Sequence, residues 1–207
     1  MREPWLRAAG ILMLAGLFAA GLTAPLQAQG YFGLTAGLYQ PEEDDADRTE
    51  LFGVRAGYRF QSNLGIEGSL TRVDLLDTVP PDDDPGIPEL DLDLTVDLYN
   101  LDLSLLWYPG GGNLSIFAGP GVAQIDAELQ ATFFGQTIRE SETSEILTAH
   151  AGIAYEWRAG DRFFLRPEAR VRRYFDDEIA EVDEEDSFAI AYESTDYEAG
   201  VTFGWRF

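Results

Sequence analysis

Few residues of this chain could do chemistry. There is one histidine, His150, in the run Thr148-Ala149-His150-Ala151-Gly152, and no cysteine. One His without Cys excludes His/Cys metal centres, disulfides and thiolate nucleophiles. A lone His can serve a Ser or an Asp in hydrolysis. Within a strand, its plainer role is an inward side chain hydrogen-bonded to a neighbour. Carboxylates are plentiful, and both Asp82-Asp83-Asp84 and the run from Glu42 to Asp47 hold calcium-type ligands. Neither run has the glycine and closing glutamate of an EF-hand loop, so a solvated acidic loop with weak divalent-cation binding is the expectation. The remaining charged set interleaves arginines and carboxylates: Arg55, Arg59, Glu67, Asp102, Glu156, Arg166, Glu168, Arg170, Arg172, Glu198 and Arg206. That mixture suits mutual ion pairing. No catalytic, cofactor-binding or metal-ligating residue is expected.

Composition narrows the class of protein. The 207 residues carry 37 acidic and 14 basic side chains, a net charge of −23, and every basic residue is arginine. Phosphate binding needs basic patches, so nucleic acid is not an expected partner. A chain this acidic could be disordered, but 13% aromatic residues argues for a packed structure. Such acidity also suits a salty habitat, where self-repulsion is screened.

Residues 1–28 have the layout of a secretory signal peptide. Arg2 and Arg7 precede a charge-free run of 15 residues from Ala8 to Leu22, and Leu26-Gln27-Ala28 puts a small residue at the cut. The run falls short of the ~20 residues that span a bilayer as a helix. The expected division is a signal peptide over 1–28 and one domain over 29–207.

Eight segments then alternate apolar and polar residues with the period of a strand. They are residues 31–40, 51–60, 64–73, 94–108, 114–129, 143–158, 163–175 and 197–207. In the second, Phe52, Val54, Ala56, Tyr58 and Phe60 oppose Gly53, Arg55, Gly57 and Arg59. A greasy stripe opposite arginine and glycine fits a barrel with an apolar outside and a polar inside. The fifth segment is ambiguous in parity, and Gly119-Pro120-Gly121 predicts a bend or bulge. Connections at 61–63, 109–113 and 160–162 are short. Those at 41–50, 74–93, 130–142 and 176–192 are long and acidic. Aromatics flank both sets: Tyr58, Phe60, Trp107, Tyr108, Tyr155, Trp157, Phe163, Trp205 and Phe207 near the short turns, and Tyr39, Tyr174, Phe175, Tyr192 and Tyr197 near the long loops. Two such rings are expected at membrane interfaces.

The last strand ends the chain on an aromatic, with Phe203, Trp205 and Phe207 at alternate positions. From Gln29 onward the chain resembles the small outer-membrane β-barrel proteins of the OmpX type and the OmpA transmembrane domain. The resemblance implies an eight-stranded antiparallel up-and-down barrel in the outer membrane of a Gram-negative-type bacterium, with short periplasmic turns and long extracellular loops. It implies that Phe203, Trp205 and Phe207 are the signal read by the barrel assembly machinery. It implies contact with outer-membrane lipid and lipopolysaccharide, and roles in envelope integrity, adhesion or resistance to host factors. A narrow OmpW-like channel is the alternative, and a lipid A-modifying enzyme a third. The lipid A deacylases of the family carry a serine two residues after the histidine, where this chain has Gly152.

Charge sorts by side. Thirty of the 37 acids lie in or beside the long loops, with only Arg48 and Arg139 among them. By parity Glu67, Asp102, Glu156, Glu168 and Glu198 point inward, as do Arg55, Arg59, Arg166, Arg170, Arg172 and Arg206. An eight-stranded barrel has an interior just wide enough for side chains. An unpaired buried charge is costly, so these groups are expected to pair and plug the lumen. The turn at 61–63 sets Glu67 near Arg55 and Arg59, the turn at 160–162 sets Glu156 near Arg166, and level final strands set Arg172 opposite Glu198. Arg72 and Arg173 face outward near the long loops, within reach of lipopolysaccharide phosphates.

Overall fold

The computed structural model describes residues 29–42, 48–60, 63–76, 91–133, 136–175 and 195–207. Residues 1–28, expected to be a signal peptide, and most of the acids expected in loops lie outside these residues. Eight antiparallel strands follow in order: β1 Gln29–Gln40, β2 Thr49–Arg59, β3 Leu64–Leu76, β4 Asp91–Trp107, β5 Leu114–Phe133, β6 Gln136–Tyr155, β7 Phe163–Phe175 and β8 Thr195–Arg206. Beyond a break at Glu156, β6 resumes as Trp157–Ala159 and stays on β7. Each strand pairs with the next, and β1 pairs with β8, so the sheet closes on itself. In the closed part of the barrel, pairing on both sides satisfies most backbone groups without water, which is what a bilayer demands.

Alternation drives the sorting of faces. Leu34, Leu105, Leu147, Ile153 and Phe203 are between 56% and 64% exposed, while their strand neighbours Thr35, Ser104, Thr148, Ala154 and Thr202 are buried inside. An apolar band this continuous belongs against lipid. The turns on one side are tight: Asn63, Gly110 and Gly160 take positive φ values of 61°, 63° and 74°, the left-handed conformation that glycine and asparagine reach most cheaply. Gly204 allows a close approach of another kind, because a Cβ there would strike the ring of Phe164.

Several expectations fail. Of the expected loop 130–142, residues 130–133 and 136–142 are strand. β5 and β6 pair without interruption from Leu114↔Tyr155 to Phe133↔Gln136. β4 follows them as far as Asp91↔Thr132, so three strands continue past the rest of the barrel. The acids there hang from a paired backbone, because Thr137-Ile138 and Ala127 to Leu129 keep strand alternation among the charges. Gly119-Pro120-Gly121 makes no bulge: pairing of β4 with β5 lapses between Asp102↔Gly121 and Leu105↔Ala118, and the register is the same on both sides. Proline lacks the N–H that the ladder would use there. Tyr39, Tyr174 and Tyr108 do not join the membrane rings. All three are at most 3% exposed and point inward, whereas Trp107, Trp157, Phe175, Tyr197, Trp205 and Phe207 are exposed.

Candidate functional site: the barrel interior

The middle of the lumen is filled by four guanidinium groups and four carboxylates, of Arg55, Arg166, Arg170 and Arg172 and of Glu67, Glu168, Asp102 and Glu198. Nearer the short turns, Arg55 on β2 grips Glu168 on β7 with two hydrogen bonds, 2.5 and 2.6 Å. It also reaches Glu67 at 3.2 Å and donates from Nε to Thr35 at 2.9 Å. Glu67 accepts from Arg166 at 2.6 Å and from the Tyr31 hydroxyl at 2.5 Å. Higher up, Asp102 on β4 is held by Arg172 at 2.6 and 2.9 Å and by Arg170 at 2.5 Å. Arg172 donates from Nε to Glu198 at 2.9 Å. Arg170 joins the two halves, 3.6 Å from Glu168 and 3.7 Å from Glu198. Gly121 makes room for Asp102, since a Cβ there would meet the carboxylate and the Thr148 hydroxyl.

Three of the interior charges lie apart from this network. Arg59 stacks 3.9 Å from the Tyr108 ring centroid and donates to the Gly111 carbonyl at 2.6 Å, so it does not meet Glu67. Glu156 pairs with Arg158 and Arg206, each at 3.3 Å, and not with Arg166. Glu156 stands opposite Arg166 in register, between Ala154↔Glu168 and Trp157↔Leu165, but Arg166 donates to Glu67 at 2.6 Å instead. Outside the barrel, Arg72 is engaged by Asp74 at 2.8 Å and Asp97 at 3.0 Å, and Arg173 lies 5.9 Å from the Phe175 ring.

Apolar side chains close the lumen above and below the charges. On the long-loop side Leu51, Val73, Leu98, Ile125 and Ile146 pack with Tyr39 and Tyr174. On the short-turn side Leu106, Tyr108, Phe117 and Ala154 pack together. Neither layer was read from the sequence, although each residue has inward parity. Asp196 was also missed. It was grouped with the loop acids, but it is fully buried on β8 and accepts a hydrogen bond from Tyr39.

His150 faces Ser104, with Oγ and Nε2 2.7 Å apart, and its Nδ1 lies 3.4 Å from Asp102. The order is that of a Ser-His-Asp triad. Its surroundings oppose catalysis. Both oxygens of Asp102 are taken by arginines, Nδ1 makes no hydrogen bond among the described residues, and all three residues are at most 4% exposed. A nucleophile must reach its substrate. The i, i+2 spacing of Asp102 and Ser104 was the available sign that both shared an inward face. The acids Asp97, Asp126, Glu128 and Glu142 rim a dent of about 40 Å³ on the outer end of β4–β6. Among the described residues no three ligand side chains converge as a metal site.

The family described as "Outer membrane protein beta-barrel domain" matches residues 9–207. No curated protein matches the chain significantly. Among solved structures, a major outer membrane protein from Thermus thermophilus superposes with a TM-score of 0.57 at 14% identity, covering 87% of this chain and 99% of that one. Ail, the attachment invasion locus protein of Yersinia pestis, solved with the heparin analogue sucrose octasulfate, superposes with a TM-score of 0.54 at 15% identity, covering 88% of this chain and 100% of that one. At these identities the likeness is one of fold.

Proposed function

Because the chain belongs to the outer membrane protein β-barrel family and so resides in the outer membrane of a Gram-negative-type bacterium, we propose that it is a non-enzymatic barrel with a structural or surface-interaction role in the envelope. The observation that carries this reading is the filled lumen: four paired arginines and four carboxylates between two apolar layers. A water-filled pore needs a polar path, and side chains occupy that path here. The partners in this reading are outer-membrane lipid and lipopolysaccharide, with the barrel assembly machinery acting on Phe203, Trp205 and Phe207. The sulfated ligand of the Yersinia protein is a poor candidate for this chain, because the outer-end segments 41–50, 74–97, 126–145 and 176–195 hold 29 of its 37 acids and would repel a polyanion.

Single-channel recording in planar bilayers tests the reading. The expected result is no unitary current. Reproducible steps that scale with salt would favour the narrow-channel alternative. The arrangement of Ser104, His150 and Asp102 is the one observation that favours an enzyme. Mass analysis of lipid A from cells with and without the gene tests it, and the expected spectra are identical.

A further inference from the structure

The short-turn mouth of the barrel differs in charge from the outer end. Arg59 at the end of β2, Arg158 past the break in β6, Arg162 in the turn before β7 and Arg206 at the end of β8 lie there, against Glu156, Asp161 and the terminal carboxylate. Three of these arginines gather over the lumen. Arg158 Nε and Arg206 Nη2 reach the same oxygen of Glu156, each at 3.3 Å. Arg59 and Arg158 both lie near enough to Arg206 to repel it. Beneath them the layer of Leu106, Tyr108, Phe117 and Ala154 separates the mouth from the lumen network. Arg162 stands apart, beside the exposed Trp205 ring and 5.9 Å from its centroid.

The three guanidinium groups have more donors than the protein uses. Glu156 is one carboxylate shared by two arginines, and its contacts are longer than the ~2.7–2.9 Å of a close guanidinium–carboxylate bond. The Arg158 side chain is 42% exposed, and among the described residues only its Nε makes a hydrogen bond. Arg59 is oriented in advance. It stacks on the Tyr108 ring and donates from Nη2 to the Gly111 carbonyl at 2.6 Å, while its Nη1 is buried without a partner among the described residues. A buried donor with no acceptor is costly.

Charge indicates which ligand fits. Arg59, Arg158 and Arg206 outnumber Glu156 by two charges. Asp161 is exposed in its turn, and the terminal residue is tied to the wall through Gly30. A phosphate monoester carries about −1.5 to −2 charges at neutral pH and presents three acceptor oxygens. It offsets the excess and matches the planar forks of arginine. A single carboxylate would leave about half of the excess uncompensated.

We propose that Arg59, Arg158 and Arg206 form a phosphate-monoester site at the periplasmic mouth of the barrel, with Glu156 positioning Arg158 and Arg206. The phosphate belongs either to a free monoester in the periplasm or to a monoester headgroup in the inner leaflet of the membrane. The site is blind, because the apolar layer stops the anion there. It adds a ligand to the envelope role and does not depend on whether the lumen conducts.

The test uses the full chain in octyl glucoside, a detergent without phosphorus, and phosphorus NMR. The free probe is glycerol phosphate and the lipid probe is dihexanoyl phosphatidic acid. A saturable shift is expected with at least one of them. A response to glycerol phosphate assigns the site to free monoesters, and a response to the lipid alone assigns it to a headgroup. Dimethyl phosphate, a diester with a single charge, should bind at least about tenfold more weakly, and so should the double variant Arg158→Gln with Arg206→Gln. Arg162→Gln should bind as the wild type does. Heat-modifiable migration checks that each variant is folded. Arg158→Gln alone, which alters an exposed side chain, should weaken binding in the same direction if the double variant does not fold. No saturable shift with either probe up to about 10 mM overturns the proposal. So does equal binding of dimethyl phosphate, or an equal loss in Arg162→Gln, which would reduce the effect to general attraction by a basic rim. Any of these failures, beside a silent conductance trace, would remove this ligand and leave the sealed-barrel reading standing.

Discussion

Arg55 and Glu168 meet inside the barrel although they lie 113 residues apart, on strands that are not neighbours in the sheet, through two hydrogen bonds of 2.5 and 2.6 Å. This contact ties β2 to β7 across the lumen. Both side chains are nearly inaccessible, at 1% and 6%. Removing one partner would strand the other charge, whereas removing both would leave an apolar gap that packing can partly fill.

Glu168→Ala should therefore cost about 3–5 kcal/mol, read as a lower urea midpoint in refolding vesicles. Glu67→Ala, which strips Arg166 of its closest carboxylate and Arg55 of its second, should shift the midpoint in the same direction. The double variant Arg55→Met with Glu168→Leu should recover part of the loss. Wild-type midpoints for both single variants would show that the lumen network does not hold the barrel together.

Phe207 closes the cylinder through its backbone as well as its ring. Its N–H donates to the Gly30 carbonyl at 2.9 Å and its own carbonyl accepts from Gly30 at 3.1 Å, while the ring is 49% exposed toward lipid. Phe207→Asp keeps the backbone bonds available and removes the aromatic. It should reach the periplasm and fail to assemble. Normal heat-modifiable migration of this variant from outer-membrane fractions would show that the terminal aromatic is dispensable.

Ser104→Ala separates a structural from a catalytic role for the inner Ser-His-Asp arrangement. It deletes one buried hydrogen bond to His150, worth about 1 kcal/mol with a further penalty for the orphaned nitrogen. A small fall in urea midpoint with an unchanged lipid A profile is expected. A changed profile without a change in stability would assign the serine to chemistry.

The acid-rich segments 77–90 and 176–194 should be cleaved by an acid-specific protease more slowly in molar salt or millimolar calcium than in dilute buffer. Carboxylates within the ~8 Å screening length of physiological salt repel one another, and clustered carboxylates without a preformed site bind calcium weakly, in the ~0.1–1 mM range or above. Glu140 and Glu142, carried on a paired strand, should show a much smaller change. Equal cleavage rates at all sites and in all buffers would reduce the loop charge to a solvated coat.

The sequence by itself determined the number of strands and the face most side chains take outside the fifth strand, and its resemblance implied the closed antiparallel class. Phe163–Phe175 has the same bounds in sequence and structure, because period-two alternation is a local property of the chain. Arg55, Glu67, Arg166 and Arg172 could be placed inside for the same reason. Their partners could not be, except across adjacent strands as with Arg172 and Glu198. Which side chains meet across a lumen depends on the stagger with which the sheet closes, and no single strand encodes that. The same holds for the apolar layer of Leu98, Ile125, Ile146 and Tyr174. Each is an ordinary inward residue on its own strand, and only closure at one height makes them a seal. The outer hairpin shows the opposite limit. Its acids Glu140 and Glu142 looked like loop, but continuous pairing with β5 overrides composition, because ladder hydrogen bonds need backbone register and tolerate charge on an exposed face.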